Sequence, residues 1–147
     1  FTNFVNDTFS FFKTSYPEIN FQLINNSQKE KKLFIFADEK QLRQVIGNIV
    51  KNSSENFIEN KISNKSITFI LETDIKSITL NIKDNGKGIK DLNLNKVLEP
   101  YFTTKRNGTG LGLSISKKII EDHQSEIEIE SSKSGTEIKI TFPFKFN

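Results

Sequence analysis

The chain predicts a two-layer α/β sandwich: one mixed, mainly antiparallel sheet with helices on a single face. Three observations point there. Alternating apolar residues at Ile67, Phe69 and Leu71, then at Ile78, Leu80 and Ile82, read as two paired strands, and Ile127, Ile129, Ile138, Ile140 and Phe142 repeat the pattern. Apolar residues at helical spacing follow Asp38 and again follow Leu111. The order is two strands, helix, two strands, long loop, helix, two strands, with no internal repeat and no linker, so all 147 residues read as one domain.

Each element has its own signal. Phe4, Val5, Thr8, Phe9 and Phe12 recur on one helical face, so a helix runs from Phe1 to Ser15 and ends at Tyr16-Pro17. Ile19, Phe21 and Leu23 alternate with polar neighbours as a half-buried strand. Asn25 to Lys32 is a polar turn, and Leu33 to Ala37 a second short strand. Asp38 then N-caps a helix, with Gln41 completing a capping box and Leu42, Val45, Ile46, Ile49 and Val50 as its buried stripe. Glu59 to Lys65 is a loop, and Asp74 to Ser77 turns one strand into the next. Residues 90–107 keep no period. Leu111, Ile115 and Ile119 mark a further helix, and Ser134-Gly135 turns the closing hairpin.

Composition excludes several chemistries. There is no Cys, hence no disulfide, thiolate metal site or cysteine nucleophile. One His, His123, cannot make a multi-histidine metal site. The 14 Phe must supply much of the core in place of the absent Trp and Met. A net charge of +3 from scattered lysines reads as a solvated face, and no nucleic-acid partner is expected. No run approaches the ~20 apolar residues of a membrane span, so this piece is expected to be soluble and cytoplasmic. With no initiator Met and an opening in mid-helix, it reads as a fragment of a longer protein.

Three motifs carry chemistry. Asn48, Asn52 and Glu55 lie four and three residues apart, on one ridge of the helix from Asp38. A solvated polar face explains such a ridge, but Asn is a poor mid-helix residue and two of them need a local reason. A neutral amide oxygen can complete a magnesium shell otherwise filled by phosphate oxygens and water, and Asn52 fits that role. Asp84-Asn-Gly-Lys-Gly-Ile89 ends a strand. It reads either as a plain turn or as a carboxylate accepting from the exocyclic amine of adenine, with Gly86 and Gly88 letting the backbone approach the base. Gly108-Thr-Gly-Leu-Gly-Leu113 opens a helix whose free N–H groups and dipole suit phosphates. It is not a P-loop, since no Gly-Lys-Ser/Thr follows. Residues 90–107 between the glycine motifs form a mobile lid, with Lys105 and Arg106 within reach of a terminal phosphate.

In this order the motifs resemble the catalytic, ATP-binding domain of two-component sensor histidine kinases, of the gyrase/Hsp90/histidine kinase/MutL ATPase superfamily. The asparagine box is similar to Asn48-Ile-Val-Lys-Asn52 with Glu55, and the first glycine box to residues 84–88. Glu99-Pro-Tyr-Phe-Thr-Thr-Lys105 resembles the phenylalanine box, residues 108–113 the second glycine box, and residues 134–143 the closing strand. Residues 98–105 and 117–123 look most like the nitrogen-regulation, NtrY-like branch. The resemblance implies a Bergerat-type fold that binds Mg-ATP and transfers the γ-phosphoryl group to a histidine. It implies Asp84 on adenine and Asn52 on Mg²⁺. Nucleotide contacts fall to Glu55, Gly86, Gly88, Ile89, Phe102, Thr103, Thr104, Arg106, Gly108, Thr109, Gly110, Leu111, Gly112, Leu113 and Thr136, and catalytic roles to Asn48 and Lys105. The partners implied are the protein's own upstream dimerisation and phosphoacceptor domain, into which residues 1–17 lead, and the receiver domain of a response regulator. The parent protein is expected to be a homodimer, open to anchoring in the inner membrane.

Three departures stand out. Glu55 replaces the basic residue of many family members, Gln124-Ser125 replaces a Gly-Gly, and no phosphoacceptor helix is present. ATP-hydrolysing relatives place a Glu one turn before the magnesium asparagine. Here that position is Asn48, whose amide cannot accept a proton, so a kinase is favoured. A serine/threonine kinase of the anti-sigma-factor type, or a nucleotide sensor without catalysis, are the alternatives. His123, at a helix C-terminus where a cation suits the dipole, is read as structural and not as the acceptor.

Overall fold

The computed structural model describes residues 1–27 and 35–144. Helix α1 spans Thr2–Ser15, strand β1 Asn20–Asn25, helix α2 Glu39–Glu59, and strands β2 and β3 Ser66–Thr73 and Ser77–Asp84. A short α3 (Asp91–Leu94) precedes α4 (Gly112–Asp122), and β4 (Glu126–Ser132) and β5 (Gly135–Pro143) close the chain. The five strands form one sheet in the order β1-β2-β3-β5-β4. Only the β1–β2 pairing is parallel, because α2 is the crossover between those strands; the other three pairs are antiparallel.

Strand alternation sets the layers. Ile67, Phe69 and Leu71 on β2 face the same way as Ile78, Leu80 and Ile82 on β3 and Ile138, Ile140 and Phe142 on β5, and all are buried. The three main helices cover this face. From α1, Phe9 meets Phe69 edge-on at 5.8 Å and Phe21 at 6.3 Å. From α2, Val45, Val50 and Phe57 are wholly buried, each such side chain contributing about 1.5–3 kcal/mol of transfer free energy. The opposite face of the sheet is polar, with Lys83 and Lys139 exposed.

Local chemistry fixes the element ends. Asp38 Oδ1 accepts from the amides of Lys40 (2.8 Å) and Gln41 (3.0 Å), the expected N-cap. The reciprocal half of the capping box is made differently: the Asp38 amide donates to His123 Nε2 at 3.0 Å, so His123, not Gln41, satisfies it. Helices α2 and α4 both end in Schellman motifs, with Lys61 (φ 52°) and Gln124 (φ 54°) in the left-handed position. Ile62 donates back to Phe57 (2.9 Å) and Ser125 to Ile120 (3.1 Å). In the β2–β3 turn, Asp74 accepts from the amides of Lys76 and Ser77, which hold its carboxyl below the usual aspartate range.

Two expectations change. The strand read at Leu33 to Ala37 is not seen over its described part, residues 35–37, which are irregular; Leu33 and Phe34 lie outside the described residues, as do residues 28–32 of the polar turn. Residues 90–107, read as a structureless lid, contain α3 and then a series of tight turns in which Lys96 donates to Asn93 (3.0 Å) and Glu99 to Lys96 (2.8 Å).

Candidate functional site

The site is organised by successive turns of α2, each fastening a different part of the chain. Asn48 comes first. Its Nδ2 donates to Gly112 O (3.0 Å) and Ser116 Oγ (3.1 Å), tying the N-terminus of α4 to the middle of α2. Leu111 is the N-cap of α4, and among the described residues no side chain caps that end. Its first amides are therefore left to whatever lies before the helix. Gly112 would accept a Cβ at ordinary contact distance from Asn48, so its lack of a side chain is not demanded by packing. Gly110 is different: with φ 67° and the Tyr101–Phe102 backbone at 2.5–2.8 Å from any added Cβ, it lets the lid close over its own base.

One turn on, Asn52 and Glu55 meet the lid. Lys105 Nζ donates to Asn52 Oδ1 at 3.2 Å and pairs with Glu55 Oε2. Lys51 lies 3.9 Å from the other Glu55 oxygen. The donor set suits a hard cation: two oxygens on adjacent turns of one helix already gather an ammonium. Among the described residues no cluster of three or more His, Cys, Asp or Glu could cage a metal by itself, so further ligands would have to come from phosphate and water.

Ser53 and Asn56 then build the base end. Asp84, at the end of β3 and 9% exposed, has a fully organised carboxylate. Oδ1 accepts from the amides of Gly86 (2.9 Å) and Thr136 (3.2 Å), and Oδ2 from Ser53 Oγ (2.6 Å). Asn56 Oδ1 accepts from the Lys87 amide at 2.9 Å. Asn85 accepts from the Ser66 amide (2.8 Å) and donates to Asn64 O (2.6 Å), pinning the loop from the other side. The glycines here answer to the protein's own atoms. A Cβ on Gly86 would strike Asn56 Oδ1, and one on Gly88, at φ 77°, would strike the Ser132 carbonyl. A side chain at either position is thus excluded by the chain's own atoms.

The remaining predicted residues divide. Ile89 is half-buried, its amide on Ser131 Oγ at 2.7 Å, and Ser131 in turn contacts Thr136 Oγ1 at 3.1 Å. Phe102 and Leu113 are half-buried, Thr103 Oγ1 accepts from the Lys105 amide (3.1 Å), and Thr109 Oγ1 accepts from the Leu111 amide (3.4 Å). Thr104, Arg106 and Gly108 are exposed in the lid, and among the described residues no hydrogen bond or ion pair joins Thr104 or Arg106 to α2. Sequence reasoning missed Ser53, Asn56 and Asn85. His123, read as structural, is bonded within the fold. Its Nε2 accepts from the Asp38 amide and its Nδ1 lies 2.7 Å from Ile119 O, so both ring nitrogens are engaged.

Residues 37–146 match the family described as histidine kinase-, DNA gyrase B- and HSP90-like ATPase. The chain is 38% identical over 128 residues to sporulation kinase A of Bacillus subtilis strain 168, a match covering 86% of this chain and 20% of that one. It is 36% identical over 111 residues to an NtrY-like sensor histidine kinase of Rickettsia conorii, covering 74% and 18% respectively. The chain thus spans about a fifth of the length of these curated relatives, 20% and 18%. The catalytic domain of histidine kinase ThkA superposes with a TM-score of 0.77 at 28% identity, over 97% of this chain and 91% of that one. ThkA in complex with response regulator protein TrrA gives a TM-score of 0.74 at 26% identity, over 98% of this chain and 40% of that one. The chain therefore belongs to the histidine kinase-, DNA gyrase B- and HSP90-like ATPase family.

Proposed function

We propose that the domain binds ATP together with Mg²⁺ and presents the γ-phosphoryl group to a histidine on a dimerisation domain upstream in the parent protein. The phosphoryl group then passes to a response-regulator receiver domain. The observation that carries this reading is the Asp84 carboxylate, nearly buried yet held by three donors with acceptor capacity left on Oδ2. That is the group needed to accept from an adenine exocyclic amine. In this reading Asn52 offers Oδ1 to the metal, which would neutralise phosphate charge. The uncapped start of α4 receives phosphate oxygens, and Lys105 with Arg106 bring positive charge to the terminal phosphate. Asn48 positions α4 through Gly112 and Ser116. The acceptor imidazole attacks the γ-phosphorus, the bond to the β-γ bridging oxygen breaks, and ADP leaves with that oxygen.

ThkA, solved with a response regulator, supports the receiver domain as partner. Helix α1 is read as the lead-in from the dimerisation domain, and the domain as working in the cytoplasm of a homodimeric parent. Among the described residues no helix is long and apolar enough to cross a membrane. The test is calorimetric titration with ATP and ADP, with and without Mg²⁺, beside Asp84→Asn. Magnesium-sensitive binding that disappears in the variant is expected, and failure of the intact chain to bind ATP would overturn the reading. Acid-labile phosphate on the upstream domain would identify histidine as the acceptor; acid-stable label would point to a serine/threonine kinase.

A further inference from the structure

Lys105 lies in a lid whose other hydrogen bonds, among the described residues, are short-range turns, yet its side chain crosses to α2. There its Nζ lies between Asn52 Oδ1, at 3.2 Å, and the Glu55 carboxylate. The lysine is 25% exposed and the glutamate 36%, so the contact is partly shielded from water. Two properties of the contact conflict with metal loading. The amide oxygen that receives Lys105 is the one that the nucleotide reading gives to the metal, and an ammonium and a divalent cation sharing it would repel each other. The charge that Lys105 must bring to a terminal phosphate is meanwhile committed to Glu55.

We propose that Glu55 is a positioning residue that parks Lys105 on the metal-ligating oxygen of Asn52, so that nucleotide loading proceeds by exchange. Lys105 leaves both oxygens, Asn52 Oδ1 becomes available to the metal, and the same movement carries the lysine to the phosphates. Glu55 is well suited to this. It stands one turn from Asn52 on a rigid helix, and its second oxygen, 3.9 Å from Lys51 Nζ, retains a cation when Lys105 departs. The exchange rests on the nucleotide reading above, whereas the parking itself does not.

The experiment separates the two. Lysine acetylation of the intact chain without nucleotide, read by mass spectrometry, is expected to label Lys105 several-fold more slowly than the exposed Lys83 and Lys90. Glu55→Gln is expected to bring Lys105 to their rate while leaving theirs unchanged. Titration of Glu55→Gln with Mg-ATP is expected to show about two- to fivefold tighter binding, the equivalent of one partly exposed ion pair no longer broken on loading. Glu55→Ala is expected to match on both measurements, so a folding failure in one variant leaves the test intact. Lys105 labelling at the rate of Lys83 in the intact chain, or unaffected by either substitution, would overturn the parking. Unchanged or weaker Mg-ATP binding by the variants would overturn the exchange. If the intact chain binds no ATP, the nucleotide reading and the exchange fall together, and the labelling result still decides whether Glu55 holds Lys105.

Discussion

Ser53 donates to Asp84 Oδ2 at 2.6 Å with both residues buried, and a hydrogen bond to a buried carboxylate is worth about 1.5–3 kcal/mol. Ser53→Ala is expected to lower stability by about that much in urea unfolding and to weaken ATP binding in parallel, since the carboxylate loses one of three anchors. A change in stability with ATP affinity intact would separate Ser53 from the site. The residue was legible in principle: a small polar side chain falls where the apolar stripe of α2 calls for a hydrophobe, between Val50 and Phe57. Asn48, Asn52, Asp84 and Thr136 stood out because their motifs are ordered along the chain. Asn56 and Asn85 did not, because each acts by receiving or giving backbone hydrogen bonds to a loop distant in sequence, which no local pattern encodes.

Among the elements, α4 shows what a missing glycine costs. Gln124 occupies the left-handed position of a Schellman motif at φ 54°, where the related kinases' resemblance led us to expect Gly, and both motif bonds are still made. Gln124→Gly is expected to relieve the side-chain strain and stabilise the domain by about 0.5–1 kcal/mol, the larger backbone entropy of glycine offsetting part of the gain. A lowered melting temperature would contradict it. Strands β2 to β5 were readable because apolar residues recur at every second position along them, even though Asn81 on the other face of β3 is buried as well. The capping box was half readable: Asp38 does cap α2, but its own amide goes to His123, 85 residues away in sequence. Lid turns carry no apolar period, so α3 left no trace in the pattern.

For the whole molecule, an aromatic cluster joins α1 to the sheet within the core. Phe69 is fully buried, with Phe9 at 5.8 Å and Phe21 at 6.4 Å. Phe69→Ala should cost about 3–5 kcal/mol, a large share of the roughly 5–15 kcal/mol of a typical domain. Calorimetry is expected to show a melting temperature lowered by many degrees, and a shift of only one or two degrees would place the core elsewhere. Two-layer architecture was legible from order and period alone, whereas the single parallel pairing at β1 was not, since alternation does not encode strand direction.

The paired fastenings of α4 have a mechanical consequence. Asn48 holds its first turn and the Asp38 amide holds its last through His123, so the helix is clamped to α2 like a beam bolted at both ends. A helix so mounted is expected to move with α2 as one body. Opening and closing of the flap before it must be absorbed within residues 108–111, where Gly110 has the backbone freedom to act as the hinge pin. If the cleft binds nucleotide as proposed, loading is expected to change the shape of the flap and to leave the frame of α2 and α4 as it stands.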